Sequence, residues 1–577
     1  DLGWDYATEA KIPKAFFINR FDDPEARFAK AFSALRDRYG VAVCPIFIPM
    51  IEGDHVGGFL NLIDMKVYKY DEKGNLSHGA SIPADFVGTA HEYRNMLLES
   101  IAETSEALME KYFAGEEITR EEAVEAIHEG IINGGIVPVF CGSAAMAWGV
   151  IPLLDVIADS FPRPTARGVE HSVDGSEIAI EKDGEPALFV FKTIADPFVG
   201  KMTFFKVMNG EVKRDMTLKN NRGGEEKLNK IYTVCGKKQT DTPAIVAGDI
   251  GAVAKLATAK TGDTLCDPAR VVTLPAPSYP VACYRMAVRV AKKGDEGKVS
   301  GALARLIEED PAISFTVDPE TKQQIISGLG TQHLEVAVAK LKNKFGVEIT
   351  LEVPRVPYRE SIRKSCKAQG RHKKQTGGHG QFGDVWIQFE PIPGEDVEFA
   401  ENVFGGSVPK NFFPAVEKGV RQAAQHGVLA GYPMVGLKAT LLDGSYHPVD
   451  SSEMAFIMAA KLSYKAAIPE AGPVLLEPIG TLKAHVPADN TGDIMGEVTK
   501  RRGRVLGMNP DEDGEQVVEA EVPMSEMQDF TTFLRQLTQG RGWFTFDFVR
   551  YETLPQMLEA KVIEQAKALG NFAEEEA

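Results

Sequence analysis

The strongest constraint on the fold is an order of secondary-structure patterns that occurs twice in the second half of the chain. The first copy predicts strand, helix, strand, strand, helix and strand at 284–290, 297–309, 313–317, 324–328, 333–345 and 347–353. The second copy predicts the same order at 480–486, 491–501, 504–508, 515–522, 527–537 and 543–550. Two βαββαβ units imply two ferredoxin-like domains within a multidomain protein.

Composition places the chain among ordinary globular proteins. Its 577 residues include 64 Lys and Arg against 82 Asp and Glu, which gives a formal charge of −18. With 25% charged and 8% aromatic residues, disorder and a collagen-like structure are excluded. The acidic total argues against a general affinity for nucleic acid, although a local basic face remains compatible with it. The six cysteines form no closely spaced pair that would bind zinc or carry out redox chemistry.

No membrane segment is expected. The chain begins with acidic residues and no basic leader region, so we expect no secretory signal. One uncharged stretch at 131–154 is long enough to span a bilayer, but its prolines and glycines indicate a strand, a loop and the start of a helix. The sequence therefore predicts a soluble, cytoplasmic protein.

The remaining segments predict three further kinds of domain. Buried strands at 15–18 and 136–140 alternate with amphipathic helices at 24–38 and 150–161, which is typical of an α/β domain. A charged segment with helical patterns at 91–113 and 120–127 interrupts this domain and predicts a helical insertion. Short alternating strands over 180–275, with a hairpin signal at Asn209-Gly210, predict a β-barrel. A glycine-rich, basic αβ segment follows at 355–475, and a last helix is predicted at 554–569.

Two strand-end loops of the α/β domain could bind a nucleobase. Asn19-Arg20-Phe21-Asp22 follows one buried strand, and Cys141-Gly142-Ser143-Ala144 follows another. A carboxylate at such a strand end can accept two hydrogen bonds from guanine, a donor pair that adenine lacks. The alternative is that Asn19 and Asp22 cap the next helix and that the second loop is an ordinary βα connection.

The phosphate-binding part of a nucleotide site is absent from the sequence. No G-x-x-x-x-G-K-[ST] motif occurs, so neither a phosphate-binding loop nor its lysine and Mg²⁺-binding hydroxyl is present. The glycine pattern Gly378-His379-Gly380-Gln381-Phe382-Gly383 is not a dinucleotide motif, because a strand rather than a helix follows it. These residues are therefore not expected to hydrolyse a nucleotide.

A basic segment precedes that glycine-rich loop. Residues 363–374 carry six Lys and Arg, including Arg371, Lys373 and Lys374, and no acidic residue. A basic arm leading to a glycine-rich tip suits close approach to RNA phosphates, and the alternative is a solvated hairpin with incidental charge. A second basic cluster at 500–504 ends a predicted helix. Cations interact favourably with the helix dipole at that end, so a structural role is preferred there. His447 lies in a predicted loop without a second metal ligand, so neither a metal site nor a catalytic role is assigned to it.

Several longer motifs are similar to those of a known protein family. They are Asp196-Pro197-Phe198-Val199-Gly200, Thr261-Gly262-Asp263-Thr264-Leu265, Gln375-Thr376-Gly377-Gly378-His379-Gly380-Gln381, Gly444-Ser445-Tyr446-His447, Asp450-Ser451-Ser452-Glu453 and Thr538-Gln539-Gly540-Arg541-Gly542. In this order the chain resembles the bacterial elongation factor G family, the translocation GTPases, from the end of the G domain to the C-terminus. The resemblance implies that the P-loop and switch regions precede Asp1.

The resemblance also implies a domain plan. It comprises the C-terminal part of a P-loop GTPase-type α/β domain at 1–168 with an insertion at about 45–132, and a β-barrel at 169–276. A ferredoxin-like domain at 277–354 precedes an αβ tip domain at 355–474. A second ferredoxin-like domain follows at 475–552, and a C-terminal helix at 553–577 packs on the tip domain.

Site residues follow from the same resemblance. Guanine contacts are implied for Asn19, Arg20, Asp22, Ser143 and Ala144, and contacts at the decoding centre for two tip loops. Those loops carry Gly377, Gly378, His379, Gly380 and Gln381, and Ser445, Tyr446 and His447. The implied partners are the ribosome, through its RNA and factor-binding site, and tRNA–mRNA, with the factor acting as a monomer. GTP or GDP with Mg²⁺ would be bound by a complete family member, and none is expected on this chain alone.

Some positions depart from the family pattern. Arg20 replaces the usual Lys, Thr331-Gln332 replace Glu-Leu, His379 replaces Arg, and Pro448 replaces a frequent acidic residue. These departures resemble a paralogous branch and leave three hypotheses open. They are a translocase, a ribosome protection or recycling factor without translocase activity, and an RNA-binding module that acts independently of guanine nucleotides.

Overall fold

The computed structural model describes residues 2–53, 55–70, 76–196, 200–292, 294–375, 380–511 and 515–570. Contacts within the chain define two compact units. The first comprises Asp1–Phe189, Phe205–Ala252 and Thr264–Pro275, and the second comprises Val190–Phe204, Val253–Asp263 and Ala276–Ala577. Within the described ranges, no helix is both long enough and apolar enough to cross a membrane.

The N-terminal part of the first unit is built on a three-stranded parallel sheet. Its elements are α1 (Leu2–Glu9), β1 (Phe16–Ile18), α2 (Phe28–Tyr39), β2 (Val43–Pro45), β3 (Phe47–Glu52), β4 (His55–Asn61), β5 (Lys66–Tyr70), β6 (Leu76–Ala80), α3 (Ala84–Ala102), α4 (Glu106–Ala114), α5 (Arg120–Asn133), β7 (Val137–Cys141) and α6 (Val150–Ser160). β7 lies between β1 and β2 and runs parallel to both. All five residues of β7 are buried, which accounts for its continuous apolar sequence.

The insertion into this domain is half sheet and half helix. The sequence predicted a helical insertion, but β3 to β6 form a four-stranded antiparallel sheet before the three helices α3 to α5. The helix predicted at 91–113 is also two helices. Ser105 begins α4 by accepting a hydrogen bond from the Leu108 N–H on its side-chain oxygen, and Thr119 and Glu122 form a capping box at the start of α5.

Short strands make up the next part of the chain. They are β8 (Val169–His171), β9 (Glu177–Ala179), β10 (Ala187–Asp196), β11 (Gly200–Asn209), β12 (Glu211–Lys213), β13 (Thr217–Asn220), β14 (Glu225–Lys227), β15 (Ile231–Cys235), β16 (Lys238–Thr242), β17 (Ala244–Val246), β18 (Ile250–Ala254) and β19 (Thr264–Cys266). Eight of them form one sheet in the order β14-β13-β19-β10-β11-β18-β15-β16.

The hairpin predicted at Asn209-Gly210 is not formed. β12 pairs with β17 and does not turn back on β11. Gly210 has a positive φ of 74°, and its N–H donates to the Glu181 carbonyl oxygen at 2.7 Å. A Cβ at position 210 would overlap the Gly184 carbonyl oxygen. The glycine of the Asn-Gly pair therefore allows two backbone segments, at residues 184 and 210, to approach each other closely, and it does not form a tight hairpin.

The first ferredoxin-like domain has the predicted element order. Its elements are β20 (Tyr284–Val290), α7 (Glu296–Glu309), β21 (Ser314–Val317), β22 (Gln324–Gly328), α8 (Thr331–Phe345) and β23 (Ile349–Glu352). The strand order is β21-β22-β20-β23, as a βαββαβ unit requires. Leu303 and Leu306 of α7 and Leu334 and Leu341 of α8 are fully buried in one core with Ile326 of the sheet.

The tip domain, defined here as residues 355–474, is a sheet covered by two helices. Its elements are β24 (Arg359–Ile362), β25 (Cys366–Lys374), β26 (Gln381–Pro391), β27 (Val397–Glu401), α9 (Phe413–Ala423), β28 (Leu437–Ser445) and α10 (Glu453–Ala467). The sheet order is β25-β26-β28-β27. α10 lies close against the sheet, because a Cβ at Gly370 would overlap the Ala459 carbonyl oxygen.

The second ferredoxin-like domain is joined to the tip domain through a shared sheet. Its elements are β29 (Pro473–Val486), α11 (Thr491–Lys500), β30 (Arg504–Pro510), β31 (Gln516–Pro523), α12 (Phe530–Leu537) and β32 (Trp543–Thr553), followed by α13 (Gln556–Ala568). β29 pairs with β31 and β32, and also with β24 of the tip domain. Val562 and Ala566 of α13 pack in one cluster with Tyr358, Ala430 and Leu475.

Candidate functional sites

The two strand-end loops singled out in the sequence meet at one edge of the parallel sheet. β1 and β7 are hydrogen-bonded neighbours in parallel register, with Ile18 beside Cys141. The loops that follow are therefore adjacent, and the Asn19 side-chain oxygen accepts a hydrogen bond from the Ala144 N–H at 2.8 Å. The same oxygen also accepts the Arg20 N–H at 2.7 Å. Asn19 thus ties both loops together.

A second side-chain contact joins the same loops. The buried Ser143 hydroxyl donates to the Asp22 carboxylate at 2.6 Å and accepts the Met146 N–H at 3.2 Å. The donated hydrogen bond lowers the pKa of Asp22, so this carboxylate stays ionised at neutral pH. Asp22 is exposed to solvent, which leaves an oriented carboxylate at the mouth of the loops.

Neither polar residue caps the following helix. The residue before α2 is Arg27, and it makes no capping hydrogen bond. The helix-cap alternative for Asn19 and Asp22 is therefore wrong. Arg20 has a positive φ of 68° and a side chain that is 78% exposed, 3.6 Å from Asp23. Its stem is consequently available to cover a flat ligand, whereas its backbone forms the turn.

The tip loops are described in part. Gly377, Gly378 and His379 lie outside the described residues. Arg371, Lys373 and Lys374 are exposed at the end of β25, opposite Asp384, Phe382 and Gln381 of β26. Arg371 lies over the Phe382 ring at 5.7 Å from its centroid. The structure thus presents these three cations at the end of a strand pair that carries the glycine-rich loop.

Asp450 connects the two predicted tip loops. Its Oδ1 accepts the Gly380 N–H at 3.0 Å, and its backbone oxygen accepts the Phe382 N–H at 2.8 Å. The Asp450 N–H donates to Nδ1 of His447 at 3.2 Å. Gly380 lies close to Asp450, because a Cβ at position 380 would be 3.0 Å from the Asp450 carboxyl carbon. Sequence reasoning did not assign this residue to the site. The one available signal was its position in the motif at 450–453.

The second loop of the tip exposes aromatic and imidazole rings. Tyr446 and His447 are exposed, whereas Ser445 donates to the Asp384 carboxylate at 2.7 Å. The His447 N–H donates to the Ser451 hydroxyl at 2.8 Å, which closes the loop on itself. Of the three predicted residues, Ser445 therefore has a structural contact, His447 is exposed but accepts the Asp450 N–H on its Nδ1, and Tyr446 is exposed.

The second basic cluster has a structural role. Arg501 binds Glu497 and Asp529, with N–O distances of 2.9 and 2.5 Å, and Arg502 binds Glu477 at 2.6 Å. Arg504 lies 2.9 Å from Glu521. Their charge is therefore used within the domain, as the preferred structural interpretation expected.

Comparisons with known proteins agree with this architecture. Four family models match consecutive parts of the chain. They describe elongation factor G domain 2 at residues 185–268, domain III at 279–353, domain IV at 354–472 and the C-terminus at 474–562. The chain is thus a multidomain factor of the elongation factor type.

Whole-chain relatives define the family. An elongation factor G-like protein from Thermotoga maritima is 38% identical over 570 residues, which cover 98% of this chain and 83% of the relative. The crystal structure of a protein from Thermus thermophilus is similar with a TM-score of 0.72 and 35% identity, over 98% of this chain and 83% of that one. The chain belongs to the elongation factor G family.

Proposed function

We propose that the chain forms the tip-bearing part of a ribosome-binding translation factor that promotes tRNA–mRNA translocation. The observation that carries the proposal is the tip, where two loops are joined through Asp450 beside the exposed cations of β25. Ribosomal RNA presents closely spaced phosphates, and exposed Arg and Lys side chains supply the matching charge. The tip would enter the decoding centre beside tRNA and mRNA.

The strand-end loops support a guanine nucleotide as the ligand of the complete family member. Asp22 presents an ionised, exposed carboxylate that Ser143 orients, and guanine offers the N1–H and amine donors that fit it. Asn19 braces the loop of Ala144, and the exposed stem of Arg20 can cover the ring. GTP or GDP with Mg²⁺ would supply the switch, whereas these residues would only bind and select the base.

The test is a toeprint on pre-translocation ribosomes. It compares this 577-residue chain with a version extended at its N-terminus to a complete G domain, each with and without GTP. Movement by the extended version alone, and only with GTP, is the expected result. If both bind ribosomes and neither moves the mRNA, the translocase proposal fails and ribosome protection or recycling takes its place.

A deletion tests the role of the tip separately. Removing residues 377–383 from the extended version should abolish translocation and leave ribosome-stimulated GTP hydrolysis largely intact, because the deleted loop is far in sequence from the guanine site. Parallel loss of both activities would contradict the assignment of the tip. Tight, salt-sensitive binding to free RNA without any need for ribosomes would instead favour a general RNA-binding module.

A further inference from the structure

An exposed aromatic residue lies on a third loop of the tip domain. Phe404 follows β27 and is 94% exposed, the highest value among the large apolar side chains in the described part of the chain. A phenylalanine ring in water forgoes the favourable free energy of burial, although single exposed apolar residues are common on protein surfaces. Exposure alone is therefore not evidence of a binding role, and the structure of the loop that carries Phe404 has to be considered as well.

The loop holds Phe404 outward by its construction. Val403 packs against the core of the tip domain, and Val408 is fully buried in it, so both ends of the loop are anchored. Between them Gly405 and Gly406 have positive φ values of 70° and 71°, a conformation that favours glycine. The ring is thus presented by a short anchored turn and is not part of a frayed end.

This third loop rises to the same end of the sheet as the two predicted tip loops. β27 runs parallel to β28 with Glu401 beside Leu441, and β28 continues to Ser445. Val408 lies next to Gly444, since a Cβ there would be 2.6 Å from the Val408 side chain. The loop after β27 therefore reaches the level at which the second tip loop begins.

The cations and the aromatic ring emerge at opposite edges of one sheet. In the order β25-β26-β28-β27, the basic strand and the strand that leads to Phe404 are three strand spacings apart, or about 14 Å at ~4.8 Å per spacing. Exposed Tyr446 belongs to the loop that follows the intervening strand β28. Cations that contact phosphates and aromatic rings that stack on bases are the two components of single-stranded nucleic-acid sites.

We propose that Phe404 stacks on an unpaired nucleobase of the RNA that the tip contacts. The proposal rests on the proposed ribosome function and extends it to a residue outside the two predicted loops. A base offers a flat π-face to the ring, and stacking removes from water both the base and an aromatic group that the fold leaves exposed. The positive charge of Arg371, Lys373 and Lys374 would attract an acidic protein surface as well as RNA. Protection of a single base distinguishes the two partners, so the test reads individual bases.

The experiment measures binding of the 577-residue chain to ribosomes that carry tRNA and mRNA, together with chemical probing of the RNA bases. The variants are F404A, F404L and F404W, and F113A is the matched control, because Phe113 is a 79% exposed phenylalanine on α4. F404A and F404L should weaken binding at least about 5-fold, the lower bound for loss of one stacked base, and should lose protection of a specific base. F404W should restore both, and F113A should leave that base protected.

Two results would overturn the proposal. Equal binding by all Phe404 variants would do so, as would weaker binding without a change at any RNA base, which would point to a protein contact. Failure of the unaltered chain to bind ribosomes at all would instead defeat the proposed function and, with it, this extension. Binding by the unaltered chain therefore separates the two failures.

Discussion

Arg502 donates two parallel hydrogen bonds to Glu477, from Nη1 to Oε1 at 2.6 Å and from Nη2 to Oε2 at 2.8 Å. Glu477 is 3% exposed in β29, so Arg502 is the cation that compensates this buried carboxylate. Removing one member of a buried pair leaves an unpaired charge and costs roughly 3 kcal/mol. We expect R502A to lower the free energy of unfolding by about that amount, measured by urea denaturation.

The matched control for this pair is R504A. Arg504 belongs to the same basic cluster, but its side chain is largely exposed beside Glu521. Exposed ion pairs contribute about 1 kcal/mol or less, so the control should change the unfolding midpoint little. Equal losses for the two variants would contradict the structural role assigned to Arg502.

A substitution at Asp450 should loosen the tip. In D450A the Gly380 N–H loses its acceptor, whereas the Phe382 N–H keeps its bond to the backbone oxygen of residue 450. We expect amide hydrogen exchange at Gly380 to speed up by about 2- to 10-fold, the effect of one net hydrogen bond. D443A replaces another carboxylate, on β28, and should leave that amide unchanged. Unchanged exchange in both variants would mean that Asp450 does not order the loop.

The stability of the second ferredoxin-like domain should depend on pH through Glu521. Hydrogen bonds from Arg550 and then Arg504 lower the pKa of Glu521 from 4.5 to about 2. Because the folded pKa is the lower one, this stabilisation is fully present above pH 4.5 and is lost as the pH falls towards 2.

A glutamine variant tests this dependence. E521Q cannot ionise, so its stability deficit relative to the unaltered chain should shrink as the pH falls below 4.5. Denaturation midpoints measured at several pH values from neutrality down to below that point give the comparison. E519Q, on the same strand, is the control. A constant deficit at every pH would contradict the assigned coupling.

Guanine selection should depend on Asp22. In the version extended to a complete G domain, D22A should weaken GDP binding about 10- to 100-fold, because two donors of the base lose a charged acceptor. D23A is the control, since the Asp23 carboxylate accepts the Glu25 N–H within the turn. Competition with a fluorescent nucleotide measures both. Equal weakening of adenine and guanine nucleotides by D22A would show a loss of folding rather than of base selection.

Local periodicity was sufficient to predict the two ferredoxin-like domains. The apolar residues of their helices recur at every third or fourth position, as in Val299, Ala302, Leu303 and Leu306, and the strand predicted at 324–328 matches β22 residue for residue. The sheet β3 to β6 was missed because the charged composition of the insertion and the long helical patterns after the sheet favoured helices for the whole segment. The hairpin prediction at Asn209-Gly210 was wrong for a different reason. The backbone conformation that a hairpin would need is used there for a tertiary contact with Gly184.

The candidate sites were predictable to different degrees. Asn19 and Ser143 follow parallel strands, so their meeting follows from sheet geometry once both strands are recognised. Asp450 contacts Gly380 across a wide sequence separation, and no local pattern encodes such a contact. Phe404 gave no periodic signal either, because its exposure depends on the packing of Val403 and Val408 on either side.

The strand shared by the tip domain and the second ferredoxin-like domain has a mechanical consequence. β29 is hydrogen-bonded to β24 over its first residues and to β31 over its last. The tip domain is therefore held to the next sheet by a second backbone connection, the peptide hydrogen bonds of β24, in addition to the covalent chain. A change of angle between the two domains would have to strain or break these hydrogen bonds.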